Sequence, residues 1–191
     1  MKIRPSILGI LLLTAACTSP APPPDSRPLG DVTASPQECD LISADAIRMA
    51  TGLTSYKAFG TKTDMGRDFE SCTVSARSGQ RDESGLMIEV FEPPPASREG
   101  LENTKKVNHG HDLPDSLGPG FAARRKNAQD RTIAFVYGWT PDYRRLLTIS
   151  IIQNAPGRDP LADATEFFRQ LKPHLLPNLT QETRPKPAQP R

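Results

Sequence analysis

Apolar residues recur along this chain in two periods, one helical and one of the strand kind. Ala46, Ile47 and Ala50 form a narrow helical stripe behind Ser43, a strong N-cap, with Asp45 in the first turn and Gly52 as the stop. This predicts a short helix over 44–51, and Ile42 with Ile47 has the spacing of a hydrophobic staple. Ser97 caps a second helix over 98–107, thin in apolar content, with Leu101 and Val107 as its large apolar residues and Gly100 in its first turn. The fullest helical pattern comes last. Asp159 is its cap and Pro160 its first residue. Leu161, Ala164, Phe168, Leu171 and Leu175 share a face, and Pro173 and Pro177 are the expected stops.

The strand signals lie between these helices. Cys72, Val74 and Ala76 alternate with Ser71, Thr73 and Ser75 over 70–76, the pattern of a half-buried strand. Leu86 to Phe91 is the next strand, and 77–84 reads as the connection. Phe121 to Arg125 and Arg131 to Trp139 follow, the second with Ile133, Phe135 and Tyr137 on one face. Arg145 to Gln153 returns with Leu147, Ile149 and Ile151 aligned. Residues 53–69 are harder: Tyr56 to Phe59 fits a short strand, and Gly60, Asp64 and Gly66 then suggest a loop. Asn108 to Gly120 reads as a loop. The expected fold is α+β: an antiparallel sheet of about 5–6 strands, packed by an N-terminal short helix and a C-terminal helix, with one disulfide.

Composition divides the 191 residues into four parts. Lys2 and Arg4, the apolar run Ile7 to Leu13 and the small residues Thr14-Ala15-Ala16 form a secretory signal over 1–16. The run is too short to span a bilayer, which needs about 20 apolar residues. Residues 17–36 contain Pro20, Pro22, Pro23, Pro24, Pro28 and Pro36 and read as an extended tether. Residues 37–177 hold the single domain, and 178–191 are a polar, proline-bearing tail read as disordered. Once Lys2 and Arg4 leave with the signal, 22 basic residues face 22 acidic ones. That balance argues against nucleic acid as a partner, and against broad electrostatic attraction to anionic lipid as the main activity.

The chain has three cysteines, Cys17, Cys39 and Cys72. Setting aside Cys17, which directly follows the signal, leaves an even pair in an exported protein, where disulfides persist. A Cys39–Cys72 bridge would close a loop of about 33 residues, worth roughly 3–4 kcal/mol. A two-cysteine metal site is the competing reading, without a CxxC or a paired histidine nearby.

Leu13-Thr14-Ala15-Ala16-Cys17 resembles a bacterial lipobox, in which the cysteine is lipidated and becomes the new N-terminus, although Thr14 stands at the usual aliphatic position. Plain secretion, with Cys17 an ordinary residue near the cut, is the alternative. The lipobox joins the Pro-rich tether, Cys39-Asp40-Leu41-Ile42 leading to Thr51-Gly52, a second cysteine about 30 residues on, and Leu117-Gly118-Pro119-Gly120-Phe121. Together they resemble the actinobacterial lipoproteins that carry a domain of unknown function, of the mycobacterial LprB and LprC type. The resemblance covers residues 38–175. It implies an envelope lipoprotein, held to the extracytoplasmic side of the cell membrane by lipid on Cys17, with a small α+β domain. It implies no enzyme activity and carries over no binding residues.

Candidate chemistry is sparse. His109-Gly110-His111-Asp112 has metal-ligand residue types, but a solvated turn explains them as simply, and His174 is the one other histidine. A dispersed Ser/His/Asp set remains an alternative, since its members need not be adjacent. There is no G-x-S-x-G elbow. No cofactor is implied. Arg124-Arg125-Lys126 and Arg144-Arg145 fit a solvated edge, or a surface for anionic lipid or a wall polymer. Trp139 and Tyr143, near a hairpin loop, are the expected contact surface, with Phe135 and Tyr137 in the core. The resulting expectation is a non-catalytic module that binds an envelope protein, glycan or lipid; the alternatives are an envelope hydrolase and a loop metal binder.

Overall fold

A computed structural model of the chain describes residues 23–64, 68–77 and 83–176. The signal segment 1–16, Cys17 and the tail 178–191 lie outside the described residues. The fold is α+β. A hairpin of β1 (Gln37–Glu38) and β2 (Ile42–Ser43) leads into α1 (Ala44–Thr51). Then come β3 (Tyr56–Asp64), β4 (Asp68–Ala76), β5 (Glu83–Glu92) and α2 (Arg98–Val107). The short β6 (His111–Asp112) and a 3-10 turn over Asp115–Leu117 precede β7 (Gly120–Lys126), β8 (Thr132–Trp139) and β9 (Leu146–Ile151), and α3 (Pro160–Leu175) closes the fold. Seven strands form one antiparallel sheet in the order β3-β4-β5-β9-β8-β7-β6.

Local chemistry sets the helix ends. The Ser43 hydroxyl accepts from the Asp45 N–H, and Gly52 takes the left-handed conformation that ends α1. Ser97 accepts from the Gly100 N–H at the start of α2. The Asp159 carboxylate accepts from the N–H groups of Leu161 and Ala162, with Pro160 behind it, at the start of α3.

The core lies between one face of the sheet and the helices α1 and α3. Ile88, Val136, Ile149 and Ile151 from the strands meet Ile47, Phe167, Phe168 and Leu171 from the helices, all buried. Each such side chain contributes about 1.5–3 kcal/mol when fully buried. Phe168 comes close to β8 because Gly138 has no side chain: a Cβ there would lie 2.1 Å from Phe168 Cζ. Cys39 and Cys72 are joined, their Cα atoms 5.9 Å apart, so the β1–β2 turn is tied to the middle of β4.

Five features differ from the sequence expectation or extend it. The strand expected over Tyr56 to Phe59 continues to Asp64; an edge strand is paired on one side only, so its sequence needs little apolar alternation. Within the expected loop 108–120, His111 and Asp112 pair with Ala122 and Phe121 as β6. Pro173 does not stop α3, which runs on to Leu175, because burial of Leu171 and Leu176 and a bond from Lys172 Nζ to the Leu117 carbonyl, 2.7 Å, hold the last turn. Phe135 and Tyr137 do share a face, but it is the one opposite α3, where they cluster with Phe121, Trp139, Leu146 and Leu101 of α2. Finally, the part of the expected tether from Pro23 to Pro36 runs over the domain. Leu29 and Val32 are buried in the core, the Val32 N–H donates to Gln170 Oε1, 2.9 Å, and Gln170 Nε2 donates to the Gly30 carbonyl, 2.8 Å.

Candidate functional site

The β1–β2 turn builds one wall of a cleft. Cys39 and Asp40 occupy its central positions with φ of 55° and 53°, and the Leu41 N–H closes it on the Glu38 carbonyl at 3.0 Å. Such a turn suits the twist of a hairpin but costs a non-glycine residue about 1–2 kcal/mol. The disulfide to Cys72 holds it against the sheet. Between turn, sheet and the end of α3 lies a cleft of about 580 Å³. Ile88, Val90 and the disulfide form its floor, Leu41 and Leu175 its sides, and Asp40, Thr61, Glu70 and Ser71 its polar margin. The hydroxyls of Thr61 and Ser71 are 2.5 Å apart across β3 and β4, and the Tyr56 hydroxyl donates to Glu38 Oε1 at 3.1 Å. An apolar floor with a few polar groups is the general make-up of a ligand site. The ionisable side chains lining it are Asp40 and Glu70, so its margin offers carboxylates beside the hydroxyls of Thr61 and Ser71.

The histidine loop is arranged differently from what a ligand set needs. His109 sits in a turn at φ 51°, and His111 and Asp112 are neighbours on a strand, which send side chains to opposite faces. Asp112 pairs with Lys105 of α2, which raises the Lys105 pKa. Both histidines and Asp112 are exposed. Among the described residues there is no group of three or more His, Cys, Asp or Glu side chains placed to hold a metal ion. His174 lies at the exposed end of α3, near enough to Asp31 to help lower its pKa, behind the hydrogen bonds from Thr33. Several hydroxyls are engaged in local structure: Thr51, Thr104 and Thr165 each donate to the carbonyl four residues back.

Of the expected contact pair, Trp139 is turned inward and Tyr143 is half-buried at the rim of the same cluster. Trp139 is buried, edge-on to Phe121 with ring centres 6.4 Å apart and to Tyr143 at 6.1 Å. Phe121 in turn stacks on Tyr137 at 5.1 Å. The Tyr143 hydroxyl donates to the Ala96 carbonyl at 2.5 Å, and the Arg98 guanidinium lies 5.1 Å over its ring. These aromatics therefore clamp α2 and the β8–β9 loop to the second face of the sheet, and they are a correction to the contact surface expected there. The cause is the sheet: with both faces of β8 covered, a ring that looks surplus to one core belongs to another.

Sequence reading missed a buried ion pair. Arg158 bonds Asp163 through Nε, 2.7 Å, and through a terminal nitrogen, 2.5 Å, with both side chains about 5% exposed (4% and 6%). Its other terminal nitrogen donates to the Arg27 carbonyl at 2.9 Å and lies 3.5 Å from Asp25. A hydrogen bond from the Arg27 side chain, with Arg158 adding its field, holds the Asp25 carboxyl far below the usual range. The bond to Asp163 raises the Arg158 pKa further. An acidic residue in the first turn of α3 was the one local signal; nothing in the sequence marks Arg158 as buried.

Neither protein-family models, nor curated proteins, nor solved structures show a match to the chain.

The two basic clusters also separate. Arg144 and Arg145 both pair with Glu92. Arg124 bonds both oxygens of Asp159 at 2.7 Å, at the other end of the sheet, and Lys126 lies 3.6 Å from Asp130.

Proposed function

We propose that this protein is a cell-envelope lipoprotein, held to the extracytoplasmic side of the membrane by lipid on Cys17, whose α+β domain is a non-catalytic binding or interaction module of the LprB and LprC type. One observation carries the reading. The disulfide takes Cys39 and Cys72, so Cys17 is the one cysteine left, and it directly follows a basic, apolar and small-residue segment of the export kind. Several acyl chains on one cysteine make a stable anchor, where one alone binds marginally. No helix among the described residues is long and apolar enough to cross a membrane. The cleft beside the disulfide is where the module would hold an envelope protein, glycan or lipid, since it combines an apolar floor with a polar margin.

Cell fractionation tests the anchor. Cys17→Ala should move the protein from the membrane to the soluble extracytoplasmic fraction, and the purified native protein should carry the mass of acyl chains. Unchanged membrane association of the variant would overturn the reading. For the cleft, Leu41→Asp should weaken partner capture in the envelope, with urea unfolding checking that the variant is folded; equal capture by a folded variant would remove the cleft from consideration.

A further inference from the structure

The β7–β8 turn, we propose, is a membrane-facing surface that meets the anionic phospholipid head groups of the bilayer to which Cys17 is tied. The proposal rests on the lipid anchor above and adds an orientation to it. Its first support is where the N-terminal segment meets the domain. Pro23 is pressed on Gly157, whose φ is +79° and where a Cβ would lie 2.3 Å from the Pro23 carbonyl oxygen. The Asp25 N–H donates to the Gly157 carbonyl at 2.9 Å, and Arg158 reaches the Asp25 carboxylate. Cys17 precedes Pro23 by six residues, and six residues span at most about 20 Å whatever path they take. Lipid on Cys17 therefore keeps the 157–159 loop within about that distance of the head groups.

The second support is the charge found at that same loop. Gly157, Arg158 and Asp159 share a cleft of about 490 Å³ with Arg124 and Arg131 of the β7–β8 turn. Within 124–131 the basic residues are Arg124, Arg125, Lys126 and Arg131, against one acidic residue, Asp130. The side chains of Arg124 and Lys126 are 49% and 61% exposed. Both bonds from Arg124 to Asp159 come from one terminal nitrogen, and a guanidinium has five donors in all. An exposed ion pair is also weak, so a phosphate can compete for its cation. Arg144 and Arg145, which share Glu92, lie at the opposite end of β8, away from the point where Pro23 meets Gly157. A short tether and a basic loop at one place favour a membrane over a soluble polyanion, because the tether keeps the loop beside head groups.

The test uses the mature chain 17–191 with Cys17→Ser, so that no acyl chain contributes. It is mixed with vesicles of phosphatidylcholine alone or with phosphatidylglycerol in equal parts, and sedimented. Binding should require phosphatidylglycerol and fall as salt rises from low to physiological ionic strength. Lys126→Gln with Arg131→Gln, which keeps the Arg124–Asp159 bond, should lower it by about tenfold at low salt. Thermal unfolding of the double variant checks that the fold is intact. Absence of binding at low salt, indifference to phosphatidylglycerol, or equal binding by a folded variant would overturn the proposal. Fractionation of Cys17→Ala reads the anchor separately, so the two ideas fail by different results.

Discussion

Replacing Arg158 with Met probes the least expected interaction in the molecule. The side chain is 4% exposed and its partner Asp163 is 6% exposed, joined by two hydrogen bonds. Removing the cation leaves the Asp163 carboxylate buried without its counter-charge, which typically costs about 3–5 kcal/mol. It also removes the bond to the Arg27 carbonyl and the contact with Asp25. For a domain of this size, a loss of that magnitude lowers the melting temperature by roughly 6–20 °C. Arg158→Met with Asp163→Leu replaces the pair by apolar groups of similar volume, and the desolvation penalty then disappears. That double variant should recover most of the loss, because buried pairs rarely outperform well-packed apolar replacements. Its residual deficit reports what Arg158 does for residues 25–36. Urea unfolding gives the free energies, and limited proteolysis near Arg27 reports release of that segment. A single variant within about 1 kcal/mol of the parent would refute the burial argument.

Three further outcomes follow from the same contacts. Gly138→Val should destabilise by about 1–3 kcal/mol or more, since even a Cβ would sit 2.1 Å from Phe168 Cζ; Gly138→Val with Phe168→Ala should regain part of it, and failure of that rescue in urea unfolding would count against the packing. Reducing the Cys39–Cys72 bridge, or Cys72→Ser, should cost roughly 3–4 kcal/mol for a sequence separation of 33 residues, read as a shift in urea midpoint; no shift would mean that the turn holds without the bond. Acid should weaken the fold. Asp25, Asp31, Asp142 and Glu166 all have lowered pKa values, held down first by side-chain hydrogen bonds from Arg27, Thr33, Thr140 and Arg169 respectively. Groups depressed in the folded state stabilise it above their unfolded pKa near 4, and that contribution fades as pH falls below about 4. The urea midpoint should therefore drop between pH 4 and lower values, less steeply in Asp25→Asn; a midpoint that rises on acidification would contradict the assignment.

Local signals in the chain were enough for much of the fold. Ser43, Ser97 and Asp159 cap the three helices, and Gly52 ends α1, because a cap needs only a few adjacent residues. The alternation of Leu147, Ile149 and Ile151 was legible for the same reason: a strand's period is written in consecutive positions. The disulfide followed from counting three cysteines and setting Cys17 aside. Of the candidate site, Cys39 and Cys72 were legible, but the cleft beside them was not, since Thr61, Ile88 and Leu175 come from three distant elements.

Tertiary structure decided the rest, and it did so where two choices look alike along the chain. Both faces of β8 are apolar enough to be a core, yet Gly138 and Ala134 face α3 because only small side chains let Phe168 and its neighbours approach; the rings of Phe135, Tyr137 and Trp139 go to the other side. Residues 23–36 look like a free tether from their prolines, and become a packed strap because Gln170 and Arg158, more than a hundred residues away, bond their backbone. Period, caps and charge are properties of neighbours in sequence. Which face is covered, and what a buried arginine reaches, are properties of shape, and shape exists only once the elements are assembled.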